Sequence, residues 1–208
     1  MHTKIISLTE IHSNNITVHS IDPTEIMYNG LKLTAQLVNQ ENFPTYLPYL
    51  EQLVATQKER SLSFMRLQPK YYSGYLFFDR NKIVGQFFQT IRYGLRNNRA
   101  MVSFQPIYLI VHPDYQNKSI SRLMVAFLLQ SFINSEEKVR FVNNIYLQPY
   151  RTAIAHIQKI AYEIGGNSVV ETSTDSPFDN VAYLLEITEV KHNLKRMWKT
   201  LGFKESPF

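Results

Sequence analysis

The stretch Ile107-Tyr-Leu-Ile-Val-His-Pro-Asp-Tyr-Gln-Asn-Lys-Ser-Ile-Ser-Arg-Leu-Met-Val-Ala-Phe-Leu-Leu-Gln-Ser-Phe132 decides how the whole chain is interpreted. Its first part, Ile107–Val111, is apolar and rich in β-branched and aromatic side chains, which predicts a buried strand. Pro113 and Asp114 follow and end this strand. From Ser119 onward apolar residues recur at helical spacing, which predicts an amphipathic helix that ends near residue 135.

A polar loop, Gln116–Lys118, separates the predicted strand from the predicted helix. The first backbone N–H groups of a helix have no intrahelical partner, and the helix dipole favours negative charge there. Ser119 or Ser121 can cap the first turn, and Lys118 adds a positive charge beside it. The segment therefore fits an anion-binding site, but it also fits an ordinary strand–turn–helix unit with a serine cap. Spacing alone leaves both interpretations open.

The segment Val111–Ser121 resembles the acetyl-CoA loop of the GCN5-related N-acetyltransferases, the GNAT superfamily. That loop reads roughly Val-x-Pro-x-Tyr-(Gln/Arg)-x-x-Gly-x-(Gly/Ala) and continues into an amphipathic helix. The residues that match are Val111, Pro113, Tyr115 and Gln116. The small-residue positions hold Ser119 and Ser121, whereas the family's glycine lets the backbone approach the pyrophosphate closely. Serine is the next least bulky polar choice, and its hydroxyl can donate to phosphate.

The resemblance implies an N-acetyltransferase that uses acetyl-CoA as cosubstrate and an unidentified amine as acceptor. In this family, the acceptor amine attacks the thioester of acetyl-CoA directly. The implied cofactor-binding residues are Leu109, Ile110, Val111, Gln116, Asn117, Lys118, Ser119, Ile120, Ser121 and Arg122. The alternative is a catalytically degenerate module of the same fold that binds acyl-CoA or a protein partner in a regulatory role.

Composition narrows the class of protein. The chain has 208 residues and no cysteine, which suits one domain and excludes disulfides, thiolate catalysis and Cys-ligated zinc. The formal net charge of +5 suits an anionic ligand such as a nucleotide cofactor. We expect no nucleic-acid partner, no metal, and a monomer or homodimer. No apolar run reaches transmembrane length and the N-terminus lacks signal-peptide features, so we expect a cytoplasmic protein without membrane contact.

The chain before the loop is expected to contain four strands and two helices. The predicted elements are a strand at Ile16–Ile21, one helix within Thr24–Gln40, a helix within Phe43–Arg60, a hairpin of Gly74–Phe78 with Lys82–Tyr93, and a strand at Met101–Val111. Gly85 marks a bulge. Pro106 either marks the place where the family's sheet parts for pantetheine or simply begins a strand. Six aromatic residues of this half either line the acceptor pocket that the resemblance implies or belong to the core: Phe43, Tyr46, Tyr49, Phe64, Tyr71 and Tyr72.

Two arrangements compete for the chain after residue 135. In the first, the elements are a strand at Arg140–Leu147, a helix at Arg151–Ile164 stopped by Gly165-Gly166, strands at Ser168–Thr172 and Val181–Val190, and an added helix at His192–Leu201. In the second, the tail Trp198–Phe203 is the family's helix ending, which leaves only residues 204–208 for two strands. Ordinary connection lengths favour the first arrangement.

The first arrangement gives one GNAT-like domain over residues 1–208, with a core of about 16–190 and a helical extension of about 191–203. The predicted fold is mixed α/β (α+β), with a central, mostly antiparallel sheet, a parallel strand pair at the cofactor cleft, and helices on both faces. The extension is basic, and its charges either form a solvated face or contact nucleic acid or an acidic partner. These residues are Lys191, His192, Lys195, Arg196, Lys199 and Lys204.

The choice of arrangement also decides the candidate acid. The family commonly protonates the departing thiolate with a tyrosine four residues before the glycine that ends this helix. The first arrangement places Tyr162 there, four residues before Gly166, and the second places Trp198, whose indole is no suitable proton donor. No base is assigned, because the strand Val102–Val111 contains no carboxylate and His112 fits a structural role.

Overall fold

The computed structural model describes residues 23–57, 73–96, 99–135, 144–147, 154–165, 167–170 and 181–204. The strands in this part of the chain are β1 (Thr24–Tyr28), β2 (Leu31–Val38), β3 (Ser73–Asp79), β4 (Lys82–Arg96), β5 (Arg99–Val111), β6 (Asn144–Leu147), β7 (Asn167–Val170) and β8 (Val181–Glu186). The helices are α1 (Phe43–Ala55), α2 (Ile120–Asn134), α3 (Ile154–Glu163) and α4 (Ile187–Thr200). The predicted strand at Ile16–Ile21 lies outside the described residues.

The chain divides into two compact units. The N-terminal unit contains the described parts of 11–90 and 108–128, and the C-terminal unit those of 91–107 and 129–208. The strand order is β1-β2-β3-β4 in the first unit and β4-β5-β6-β8-β7 in the second. The described pairings are antiparallel except for β5 with β6, which is parallel. The mixed, mostly antiparallel sheet predicted from the sequence is therefore confirmed. The single-domain organisation stays a prediction.

The segment Thr24–Gln40 forms a β-hairpin, so the helix expected there is wrong. Tyr28 pairs with Leu31, and the two residues between them, Asn29 and Gly30, have φ of 48° and 78°. Two positive φ values and an Asn-Gly sequence are typical of a two-residue hairpin turn. The buried side chains alternate as the pleat requires: Ile26, Tyr28, Leu33, Ala35 and Leu37.

The hairpin of β3 and β4 is confirmed, and its bulge lies where the sequence indicates. Phe77 pairs with Gly85 and Phe78 with Ile83, so the ladder shifts by one residue just before Gly85. A Cβ atom added at Gly85 would lie 2.6 Å from the carbonyl oxygen of Ile110 and 3.0 Å from the sulfur of Met124. Glycine at this position therefore lets β5 and α2 approach β4 closely.

Helix α2 is buried more completely than the amphipathic pattern predicts. Every side chain from Leu123 to Leu129 is buried, so the middle of the helix is covered on all sides. Within the N-terminal unit, Phe127 packs edge-on against Tyr75 and Phe77 of β3, with ring centroids 4.9 Å and 5.4 Å apart. These contacts hold the start of α2 against the sheet.

The C-terminal unit has the first of the two predicted arrangements. Ser103 of β5 pairs in parallel with Asn144 of β6, α3 follows, and β7 and β8 complete the sheet. The strand expected over Val181–Val190 ends at Glu186, because α4 begins at Ile187 and buries its apolar residues. The expected start of the C-terminal helical extension, about residue 191, is therefore four residues late.

The tail around Trp198 ends α4, and the two strands that the second arrangement would place after it, β7 and β8, precede this helix. Trp198 is 1% exposed, and its indole N–H donates to the side-chain oxygen of Gln130 at 3.1 Å. The ring of Phe203 packs against Trp198 with centroids 5.2 Å apart, and Gly202 has a φ of 91°. The second arrangement is therefore wrong, and the motif that suggested it is a helix C-terminal cap.

Candidate cofactor loop and active-site residues

The chain leaves β5 through a short 3-10 helix, Pro113–Tyr115, that its own side chains organise. The backbone N–H of His112 donates to the carbonyl of Val84 at 2.8 Å, so the loop begins while still bonded to β4. The imidazole Nδ1 of His112 accepts from the backbone N–H of Asp114 at 3.3 Å and caps the 3-10 helix. His112 therefore has the structural role that the sequence left open.

The loop that follows has a glycine-like backbone at the motif's first small-residue position. Ser119 has a φ of 57° and Asn117 a φ of 61°, both in the left-handed region. The N–H of Leu123 donates to the carbonyl of Ser119 at 3.1 Å and so begins α2. A turn of this kind, leading into a helix, can direct several backbone N–H groups toward one anion.

Two polar contacts fasten this loop to the turn between β3 and β4. The hydroxyl of Tyr115 donates to the carboxylate of Asp79 at 2.9 Å, and Nζ of Lys82 lies 2.5 Å from the carboxylate of Asp114. Burial raises the pKa of Tyr115 to about 12, and the hydrogen bond to Asp79 adds to the shift. The hydrogen bond from Lys82 lowers the pKa of Asp114. Neither contact could be predicted from the sequence, because each joins residues more than 30 positions apart.

Two glutamine side chains contact the backbone carbonyl of Val111, the last residue of β5. The Nε2 of Gln116 donates to the carbonyl of Val111 at 3.2 Å, and the Nε2 of Gln57, just beyond α1, approaches the same oxygen at 3.5 Å. Nζ of Lys118 lies 5.3 Å from the ring centroid of Tyr115, a cation–π contact. The motif glutamine is therefore part of the loop's internal bonding.

The predicted cofactor-binding residues differ in the solvent exposure of their side chains. The side chains of Gln116, Asn117, Lys118 and Ser119 are exposed, and those of Leu109, Val111, Ser121 and Arg122 are half-buried. The side chains of Ile110 and Ile120 are buried, so these two residues could offer a ligand only their backbone groups. The predicted set thus lies along the end of β5, the loop after it and the first turn of α2, all within the N-terminal unit.

Tyr162 lies in the C-terminal unit, in the last turn of α3. Its side chain is 51% exposed, and its ring packs edge-on against buried Tyr183 of β8 at 5.7 Å. The helix ends at Glu163 and Gly165 has a φ of 92°, so Tyr162 stands three residues before the left-handed glycine. Gly166, which follows Tyr162 by four residues and defines the family's motif position, is outside the described part. Of Tyr162 and Trp198, only Tyr162 reaches solvent.

An aromatic group on α1 and β3 is partly exposed in the N-terminal unit. Phe78 packs against Tyr49 at 5.3 Å and against Tyr46 at 6.5 Å. Partial burial raises the pKa of Tyr46, and Tyr49 adds to the shift. Phe78 is buried while Tyr49 is exposed, so the group is neither fully core nor an enclosed pocket. The other predicted pocket aromatics, Phe64, Tyr71 and Tyr72, lie outside the described residues.

In the described parts of the chain, no helix is long and apolar enough to cross a membrane. In the same residues, no group of three or more His, Cys, Asp or Glu side chains is placed to hold a metal ion.

Comparison with known proteins identifies the fold. No protein-family model and no curated protein sequence matches the chain. Among solved structures, an uncharacterised protein from Bacillus halodurans matches with a TM-score of 0.57 and 11% identity over 87% of this chain and 98% of that one. A bacterial toxin matches with a TM-score of 0.55 and 12% identity over 79% and 96% of the two chains.

A third solved structure carries the family's name. It is a provisionally assigned acetyltransferase of the GNAT family from Desulfovibrio desulfuricans, with a TM-score of 0.50 and 12% identity over 74% of this chain and 99% of that one. Sequence identities this low support a shared fold but give no information on the reaction. The chain has the fold of the GNAT superfamily.

Proposed function

We propose that this protein transfers an acetyl group from acetyl-CoA to the amine of an acceptor. The observation that carries the proposal is the positive φ of Ser119, at the motif position where the resembling family has glycine. The chain keeps the bent loop backbone there although its residue type has changed. This loop joins β5 to the start of α2, a place suited to a pyrophosphate.

The proposed cofactor site is built mainly from backbone groups. The backbone of Leu109 and Val111 would contact the pantetheine arm, and the N–H groups of the loop and the first turn of α2 would hold the pyrophosphate. Lys118 and Arg122 add positive charge at the helix start, and the hydroxyls of Ser119 and Ser121 add donors.

The proposed reaction is a direct aminolysis of the thioester. The acceptor nitrogen forms a bond to the acetyl carbon, the carbon–sulfur bond breaks, the nitrogen releases a proton, and the thiolate gains one. We assign the second proton transfer to the phenol of Tyr162, which is exposed at the end of α3. The proton acceptor for the amine is left unassigned, since β5 has no carboxylate from residue 102 to residue 111.

Release of free CoA thiol tests this function directly. The chain contains no cysteine, so a thiol reagent added to the reaction detects only CoA and unreacted protein gives no background. We expect acetyl-CoA with a panel of small amines and peptides to yield thiol at a rate that depends on one acceptor class. The acetylated acceptor should appear by mass spectrometry in equal amount.

The Tyr162→Phe variant tests whether Tyr162 is the general acid that protonates the departing thiolate. Removal of the hydroxyl should lower turnover by about 10²–10⁴-fold and leave acetyl-CoA affinity nearly unchanged. Trp198→Phe serves as the control, because Trp198 is a core residue: it should lower stability without changing turnover per folded molecule. A fully active Tyr162→Phe variant would remove this residue from the mechanism.

The degenerate module is the second candidate function. The observation in its favour is the absence of a carboxylate from the central part of β5, the strand on which family members often carry the base. A protein of this kind would bind acetyl-CoA yet release no thiol with any amine. Binding and turnover, measured on the same sample, therefore separate the two candidates.

A further inference from the structure

Helix α4 presents a face on which positive charge is concentrated. Its basic face consists of Lys191, Lys195, Arg196 and Lys199, all exposed. Helices α1, α2 and α3 together contain two cationic residues, Arg122 and Lys159. None of the ion pairs found among the described residues involves the basic face. All four side chains of the basic face are exposed to solvent.

The spacing of these cations opposes helix stability. Lys191, Lys195 and Lys199 follow one another at intervals of four residues, which places like charges side by side along a row of about 12 Å. No Asp or Glu stands three or four residues from any member of the basic face, so no carboxylate on this helix offsets the repulsion. A solvated helix face more commonly alternates charges of opposite sign. The row therefore points to an external anion.

The rest of this surface indicates which anion fits. The exposed residues of α4 other than the basic face are Thr188, Glu189, His192 and Thr200, and none is apolar or aromatic beyond the imidazole. A membrane-surface helix needs an apolar face exposed to lipid, and a protein interface needs a desolvated apolar centre. Single-stranded nucleic acid is usually held by exposed aromatic platforms. A duplex backbone requires only regularly placed cations.

We propose that the basic face of α4 binds the phosphodiester backbone of a nucleic-acid duplex, independently of sequence. The contact is electrostatic, with up to four phosphates neutralised by the four cations. Arg196 keeps its place through one nitrogen, which donates to the carbonyl of Glu163 at 3.0 Å, and its other donors remain for a phosphate. This proposal revises the expectation of no nucleic-acid partner and does not depend on acetyl transfer.

Fluorescence anisotropy with a labelled duplex of about 20 base pairs tests the proposal. We expect binding that weakens with salt, with a slope of log K against log salt of about −3 to −4 for four contacts. The Lys195→Gln/Lys199→Gln variant should bind more weakly, with a slope smaller by about 2. Because the substitutions remove like charges, they should not unfold α4. Lys191→Gln alone should reduce the salt slope by about 1 and provides an independent test.

A matched control separates the basic face from total charge. Lys32→Gln/Arg80→Gln removes two exposed cations from the N-terminal unit and should leave the slope unchanged. DNA and RNA duplexes, anionic phospholipid vesicles and polyglutamate form the comparison arms, and tighter binding to either duplex supports the proposal. Absence of duplex binding at low salt, an equal loss in the control variant, or tighter binding to vesicles or polyglutamate would overturn it.

Discussion

Ser119 has a left-handed backbone conformation, which is uncommon for serine. It stands where the family's motif has glycine, the residue that adopts this conformation without strain. The structure gives this serine a φ of 57°, so the backbone bend is retained at an energetic cost. The neighbouring Asn117, with a φ of 61°, tolerates this conformation better than most residues. The sequence predicted the position of the loop but not its backbone angles.

We predict opposite effects of Ser119→Gly on stability and on binding. Glycine relieves the left-handed strain and should raise the free energy of unfolding by about 1 kcal/mol. Loss of the hydroxyl should weaken acetyl-CoA binding by about 0.5–1.5 kcal/mol, one hydrogen bond. Denaturant titration and isothermal calorimetry measure the two effects.

Ser121→Gly is the control for the effect on stability. Ser121 lies inside α2, where glycine should lower stability by about 0.5–1 kcal/mol. Tighter acetyl-CoA binding by Ser119→Gly would show that the hydroxyl does not hold the pyrophosphate.

Tyr115 gives a prediction for alkaline pH. Its pKa in the folded protein is about 12, above the ordinary value of 10, so the folded state keeps the proton longer than the unfolded state. Its contribution to stability is complete below pH 10 and is lost as pH rises toward 12. In urea titrations, the stability difference between wild type and Tyr115→Phe should therefore shrink from pH 10 to pH 12. A difference that is constant or grows with pH would contradict the raised pKa of Tyr115, whose main cause is burial.

At the scale of elements, the two N-terminal hairpins explain one success and one failure of sequence-based prediction. The β3–β4 hairpin was predicted because apolar runs flank a short polar turn. The β1–β2 hairpin is missed when one helix is expected within Thr24–Gln40. The Asn29-Gly30 pair and the alternation from Ile26 to Leu37 were sufficient to predict it.

A substitution at Gly85 tests the close approach of β5 and α2 to β4. Gly85→Ala should lower the free energy of unfolding by about 1–3 kcal/mol, because the new methyl group would meet the backbone carbonyl of Ile110 at 2.6 Å. Since Ile110 belongs to the proposed cofactor loop, acetyl-CoA affinity should fall as well. Both quantities follow from thermal unfolding with and without the cofactor.

Gly30→Ala separates steric contact from backbone strain. Gly30 has a φ of 78° and open space around the added Cβ, so its cost is conformational only, about 1 kcal/mol, and acetyl-CoA affinity should not change. An equal change of affinity in the two variants would argue against a specific link between Gly85 and the loop.

At the scale of the whole molecule, connection lengths predicted the order of the last elements correctly. Two strands could not be built from residues 204–208, and the structure places them before α4. The contacts that fasten the loop could not be predicted, because Asp79 to Tyr115 and Lys82 to Asp114 join residues that only the fold brings together. The extent of burial of α2 also required the fold, since its sequence fits an amphipathic helix as well.

Binding of acetyl-CoA is the central claim, and thermal unfolding tests it most directly. At a hundredfold excess over the dissociation constant, a bound ligand adds about 2.7 kcal/mol to stability. For a chain of this length we expect Tm to rise by roughly 5–11 °C with acetyl-CoA. S-acetylpantetheine, which lacks the pyrophosphate that the loop is proposed to hold, should give a much smaller rise. An unchanged Tm with millimolar acetyl-CoA and CoA, or an equal rise with S-acetylpantetheine, would contradict the account.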